Sequence, residues 1–257
     1  MRYLTPAVNY LNMVMHDHLQ IEPTTRCNLS CQTCPHRDGV PIVDITTATM
    51  AGILKKHHSI RQINLQGLGE PFMHPVFEYI CEMASDAAPA VRTFTNGTIT
   101  NDLAVRYLTG ITVSLDTINP VIAAKIKGPS YNLGTVLDNI LKYNSFFPTV
   151  VNFTQSHLSY RELPAVRDWC EATGIELNVT RVQNWYAPGE SLWDERHTDV
   201  LAERQMFGQM RKEKSACQWR NLRWYYYRAD GVRNPCCRRM GYHEYSERDG
   251  VCDTCPD

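Results

Sequence analysis

Arg26-Cys27-Asn28-Leu29-Ser30-Cys31-Gln32-Thr33-Cys34-Pro35-His36 sets the reading of this chain. Its three cysteines stand in C-x3-C-x2-C spacing, after the alternating run Leu19-Gln20-Ile21-Glu22 and ahead of a polar loop. Thiolates this close together can converge on one metal centre without extended backbone between them. Three ligands are one short of the four that zinc or a cubane iron–sulfur cluster ordinarily takes. A [4Fe–4S] cluster held by three cysteines keeps one iron open to something else. A structural zinc loop and three unrelated thiols are the other readings that spacing alone permits.

The bulk properties bound the answer. A chain of 257 residues, 43% hydrophobic, can bury a core in one domain, or in one domain with a small appendage. A formal net charge of −1 leaves no overall polycation, so nucleic acid is not an expected partner. No apolar run approaches a membrane span, and Met1-Arg2-Tyr3-Leu4-Thr5-Pro6 lacks the apolar core of a signal peptide. A soluble, cytoplasmic protein is expected. The ten cysteines fall at 27/31/34, at 217/236/237/252/255, and singly at 81 and 170. In a reducing cytosol such clusters ligate metal more often than they form disulfides. Cys81 and Cys170 sit in helical pattern and read as core.

Residues 1–17 are a short lead-in. Strand patterns then fall at Leu19–Pro23, Gln62–Gln66, Ala90–Thr95, Ile111–Leu115, Thr149–Thr154 and Glu176–Arg181. Helical patterns lie near 46–57, 74–86, 101–109, 119–127 with 132–145, and 161–173. Strands alternating with helices predict a parallel sheet with right-handed crossovers. Six such units are too few for a closed eight-stranded barrel and fit a partial (β/α)6 barrel over 18–200. Ligands of such barrels sit at the carboxyl ends of the strands. Residues 201–257 change texture, becoming rich in cysteine, arginine and aromatic residues, and are expected to form a small C-terminal domain.

The cysteine triplet after a first strand resembles the radical S-adenosylmethionine (radical SAM) superfamily, whose core is such a partial barrel. Further motifs carry the likeness. Gln66-Gly67-Leu68-Gly69-Glu70-Pro71 after the second strand resembles the family's GGEP element, whose backbone and glutamate bind the SAM ammonium. Thr95-Asn96-Gly97 resembles the family's TNG turn, and Ser114-Leu115-Asp116 its SxD strand end. The resemblance implies that Cys27, Cys31 and Cys34 hold a [4Fe–4S] cluster that binds and reductively cleaves SAM. The resulting 5′-deoxyadenosyl radical would take hydrogen from substrate. It implies SAM contacts from Gly67, Gly69, Glu70, Pro71, Asn96 and Ser114. Asp116 is expected either to contact SAM or to cap the following helix. Lys127 stands where the family usually carries an arginine that pairs with the SAM carboxylate; a solvated helix-end lysine is the alternative. Gln155 and Arg181, at the ends of the last strands, are further ligand candidates.

In the C-terminal segment, Asp230-Gly231 reads as a hairpin turn, followed by Pro235-Cys236-Cys237 and a closing Cys252-Asp253-Thr254-Cys255. Zinc would accept such a set. Beside the rest of the chain it resembles the twitch form of the SPASM domain, which implies a second, auxiliary [4Fe–4S] cluster on Cys217, Cys236, Cys252 and Cys255, with Cys237 the alternative to Cys236. Residues 211–248 hold ten Lys/Arg against four acids. That excess either offsets the cluster's charge or receives an anionic substrate. The expected activity is therefore that of a radical SAM oxidoreductase, a dehydrogenase of a small polar substrate, with flavodoxin or ferredoxin as reductant. The cysteine layout is similar to that of the 2-deoxy-scyllo-inosamine dehydrogenases. Peptide epimerisation or crosslinking, and a non-catalytic zinc-bound interaction module, are the rival expectations.

Overall fold

The computed structural model describes residues 17–57, 59–181 and 224–234. Among the described residues, eight strands form one open sheet. In chain order they are β1 (Asp17–Ile21), β2 (Ile60–Leu65), β3 (Ala90–Thr95), β4 (Gly110–Ser114), β5 (Thr149–Gln155), β6 (Glu176–Arg181), β7 (Trp224–Tyr227) and β8 (Arg233–Asn234). Their spatial order is β6-β5-β4-β3-β2-β1-β7-β8. Seven strands run parallel, and only β8 is antiparallel, to β7. The parallel α/β sheet expected from the alternation is present, with one parallel strand more than the six expected.

The extra strand comes from the cysteine-rich side of the sequence. Tyr225, Tyr226 and Tyr227 pair in register with Leu19, Gln20 and Ile21 of β1. The Asp230-Gly231 turn then reverses the chain into β8, with the Gly231 amide bonding the Arg228 carbonyl at 2.8 Å. Consecutive aromatic residues favour extended backbone and half-buried faces, which suits a strand closing one side of a sheet.

The major helices are α1 (Thr47–Lys56), α2 (Phe77–Ala87), α3 (Pro120–Lys127), α4 (Leu133–Asn144) and α5 (Leu163–Thr173). Each is amphipathic, and the apolar stripes cover one face of the sheet. Ile53, Ile80, Val136, Ile140 and Val166 join Leu19, Ile21, Ile63, Val113 and Phe153 in one core cluster. The expected helix over 101–109 is reduced to a 3-10 turn at Ala104–Tyr107. Asn101 accepts from the amides of Leu103 and Ala104, and by Thr109 the backbone already bonds Val91 of β3. Cys81 and Cys170 are buried in the core as expected.

Alternation divides each strand between two environments. Leu19 and Ile21 face the helices, while His18, Gln20 and Glu22 share the other face. On that second face Gln20 aligns with Asn64 and Asn64 with Arg92, and Ser114 aligns with Asn152 and Asn152 with Asn178. The face opposite the helices thus carries a row of polar side chains, with Phe94, Val150 and Tyr226 set among them. Among the described residues no helix is long and apolar enough to cross a membrane.

Candidate functional site

The cysteine loop leaves the carboxyl end of β1 and is pinned on both flanks. The Arg26 side chain donates to both oxygens of Asp44, at 3.0 and 2.9 Å, and the Thr24 hydroxyl donates to the same carboxylate at 2.5 Å. The Thr25 hydroxyl bonds the Pro41 carbonyl, and Val43 and Thr25 bond each other through their amides and side chain. His36 bonds the Thr25 carbonyl at 2.7 Å, so the loop closes back on its own start. Farther along, the Gln32 amide bonds the Ile126 carbonyl, tying the middle of the cysteine triplet to the end of α3.

Cys27, Cys31 and Cys34 lie partly exposed on this loop, none of them in a disulfide. Burial pushes the Cys27 thiol up to about 11, and Glu70, Cys31 and Cys34 add to the rise through their charges. Burial also raises Cys31, with Lys127 opposing. Such thiols stay protonated until a metal displaces their protons. Among the described residues no three His, Cys, Asp or Glu side chains are already gathered as a metal-ion set. A soft, three-thiol donor set on a loop braced at both flanks fits an iron–sulfur cluster with one open iron.

The Gly67–Pro71 loop packs directly against this one. The Glu70 amide bonds the Arg26 carbonyl at 2.7 Å, and a Cβ on Gly69 would lie 2.3 Å from the Thr24 oxygen and 2.6 Å from the Arg26 oxygen. Only glycine permits that approach. The Glu70 side chain is 2% exposed and is committed to the protein. It accepts from Phe72 N at 3.2 Å, from Thr95 Oγ1 at 2.7 Å and from Asn96 N at 2.7 Å. Burial pushes its carboxyl up to about 7 even so. Pro71 opens a buried 3-10 turn that Glu70 caps.

A second tie runs from the turn after β3. Asn96 Nδ2 donates to Asn28 Oδ1 at 2.9 Å, Asn28 Nδ2 donates to the Thr98 hydroxyl at 2.8 Å, and that hydroxyl donates to Asn96 Oδ1 at 2.6 Å. The Asn28–Thr98 pair was not singled out from sequence, because nothing local marks two residues seventy positions apart as neighbours.

At the end of β4, Asp116 is not the helix cap. Asn119 caps α3, accepting from Val121 N and Ile122 N. Asp116 instead accepts from Thr154 N at 2.8 Å and pairs with Lys127, Nζ to Oδ2 2.6 Å. Nor is Lys127 a solvated helix-end lysine, since it is only 8% exposed. Burial works against its charge, yet Asp116, with Cys31 and Tyr131 close by, raises it above the ordinary lysine range. The Tyr131 hydroxyl is buried beside this pair with no hydrogen-bond partner. Lys127 and the unbonded Tyr131 hydroxyl are thus gathered at one corner, where the Asp116 carboxylate already serves Thr154. The corner has spare donors and suits a carboxylate ligand.

Ser114 is half-buried on the polar face of β4, opposite Asn152. Gln155 alternates onto the helix-packed face with Val151 and Phe153 and is 3% exposed, away from the polar face that carries Ser114. The Arg181 side chain, Cys217, Cys236, Cys237, Cys252 and Cys255 lie outside the described residues, as does most of the basic excess over 211–248.

Comparison with known proteins agrees with this geometry. A probable GTP 3′,8-cyclase of Methanocaldococcus jannaschii is 30% identical over 173 residues, covering 63% of this chain and 57% of its own. A probable GTP 3′,8-cyclase of Methanococcus maripaludis is 28% identical over 196 residues, covering 69% and 61%. The chain thus spans about three fifths of the length of these relatives. Among solved structures, Streptococcus suis SuiB bound to S-adenosylmethionine superposes with a TM-score of 0.68 at 13% identity, over 94% of this chain and 66% of that one. The anSMEcpe protein with bound AdoMet gives 0.63 at 15% identity, over 86% and 74%. At such identities these two show the fold alone. A family profile described as the Radical SAM superfamily matches residues 21–169, from the end of β1 into α5, and so takes in the cysteine loop, the glycine loop and the β3 and β4 strand ends. The chain belongs to the radical SAM superfamily.

Proposed function

We propose that this protein is a radical SAM enzyme acting on a small anionic substrate, with nucleotides the first class to test. Cys27, Cys31 and Cys34 would hold a [4Fe–4S] cluster. When bound, that cluster and SAM supply reductive C–S cleavage and hydrogen abstraction; the protein's part is to position, charge and dehydrate the site. The observation that carries the reading is the packing of the cysteine loop onto the Gly67–Pro71 loop through the Arg26 carbonyl and the Gly69 contact. It sets three thiols beside backbone that can approach a ligand closely. Lys127 and Tyr131 would receive the SAM carboxylate, with Asp116 holding Lys127 rather than meeting the ligand. Glu70 would act by bracing the Asn96 turn and lending negative potential, since its oxygens are already engaged.

The substrate class rests on two supports. Relatives at 30% and 28% identity bear the name GTP 3′,8-cyclase, and residues 211–248 carry an excess of cationic side chains. The cysteines at 217, 236, 252 and 255 would hold an auxiliary [4Fe–4S] cluster in a twitch-like segment. A second cluster with no open iron could take an electron from a substrate radical, which keeps two-electron dehydrogenation as the second reading.

The deciding experiment is anaerobic reconstitution, iron and sulfide counting, and assay of 5′-deoxyadenosine after adding SAM and a low-potential reductant. Deoxyadenosine formed in proportion to a nucleoside triphosphate would support the first reading. Product of unchanged mass would mean rearrangement or cyclisation, and product two mass units lighter would mean dehydrogenation. Bound zinc with no SAM cleavage would sink the enzyme reading.

A further inference from the structure

Glu22 lies just past β1 and is fully buried. Its two carboxylate oxygens serve two different parts of the molecule. Oε1 accepts from the Leu68 amide of the glycine loop at 2.7 Å, and Oε2 accepts from the Ala229 amide of the β7–β8 turn at 3.2 Å. Its own amide bonds the Tyr227 carbonyl at 2.9 Å. On the glycine-loop side, a Cβ on Gly67 would lie 2.2 Å from Glu22 Cγ and 2.3 Å from Oε1, so residue 67 must be glycine for the carboxylate to reach Leu68. Three elements from distant parts of the sequence therefore meet on one buried side chain.

A buried carboxylate is expensive unless its oxygens are satisfied, and each buried amide is expensive without an acceptor. Neither contact can be lost cheaply. The position of the Gly67-Leu68-Gly69 backbone and the seating of the β7–β8 hairpin are thereby tied to the same group. The hairpin ends at Asn234, and Pro235-Cys236-Cys237 follow directly in the sequence.

We propose that Glu22 is a positioning residue that couples SAM occupancy of the glycine loop to the seating of the hairpin leading into the cysteine-rich segment. The proposal rests on the glycine loop's being the SAM-binding loop, as argued above. Order imposed on Leu68 by the ligand passes through the carboxylate to Ala229, and order in the hairpin returns by the same route. Linkage makes the effect reciprocal.

The test uses Glu22→Gln in the full, anaerobically reconstituted chain. A glutamine of the same shape offers one acceptor oxygen where two are needed, so its amide nitrogen must face one of the two backbone N–H groups. SAM affinity is measured by equilibrium dialysis, and amide hydrogen exchange is followed over 66–71 and 224–234 with and without saturating SAM. In the wild type SAM should slow exchange in both segments. In E22Q the affinity should fall about tenfold, and at saturating SAM the glycine loop should still be protected while the hairpin is not. A merely structural role would loosen both segments alike and leave the SAM response of the hairpin intact. Hairpin protection that persists in E22Q, or a wild-type hairpin indifferent to SAM, overturns the proposal. Dialysis showing that the wild type binds no SAM overturns the functional reading itself, before any exchange is measured. Should E22Q fail to fold, Gly67→Ala displaces the same carboxylate from the loop side and should likewise uncouple the hairpin.

Discussion

At the scale of single residues, close approach and buried charge dominate this site. Gly69→Ala would place a methyl 2.3 Å from the Thr24 carbonyl, so the two loops must separate. SAM binding should be lost while the sheet persists, which equilibrium dialysis and far-UV dichroism read separately. Lys127→Met leaves Asp116 as an unpaired buried carboxylate. Removing one partner of a buried pair costs about 3–5 kcal/mol, visible in chemical denaturation of the metal-free protein. Tyr131→Phe removes only a hydroxyl without a partner, so stability should hold while SAM affinity drops several-fold.

Glu70 gives a pH signature. Burial raises its carboxyl to about 7 in the folded chain, against about 4.3 in an unfolded one. The folded state thus prefers the protonated form. Its stabilising contribution is complete below about pH 4.3 and is lost as pH rises through about 7. Thermal melts of the metal-free protein should show wild type losing stability relative to Glu70→Gln across that window. Identical pH profiles for the two proteins would count against it.

At the scale of elements, α3 carries Lys127 and is started by Asn119, whose side chain accepts from two first-turn amides. Asn119→Ala should cost about 0.5–2 kcal/mol, measured by urea denaturation. Most elements were legible in advance because their signals are local: β3 and β6 fall at the expected residues, and the Asp230-Gly231 turn forms its hairpin. Where the structure departs from local pattern, distant partners decide. Residues 101–109 looked helical by composition, but Thr109 is already captured by Val91. Asp116 had the chemistry of a helix cap, yet the buried lysine and the Thr154 amide take its oxygens.

For the whole molecule, the expected metal content separates the two cysteine groups. Reconstituted wild type should hold about eight irons if both groups carry a four-iron cluster, and the triple serine variant at Cys27, Cys31 and Cys34 about four. The triple variant should cleave no SAM. Retention of SAM cleavage by that variant would refute the assignment of the first three cysteines.

The sequence by itself determined the superfamily, the alternation of strands and helices, and the three loops that meet at the site. Those features are written in spacing and periodicity, which survive without knowledge of neighbours. Tertiary structure alone decided that β7 extends the core sheet beside β1, that Glu70 and Asp116 are bound up in bracing, and that Glu22 joins the glycine loop to the hairpin. A carboxylate's role is set by which donors fold up against it. Leu68 and Ala229 stand far from Glu22 in sequence, so no local pattern could announce the bond.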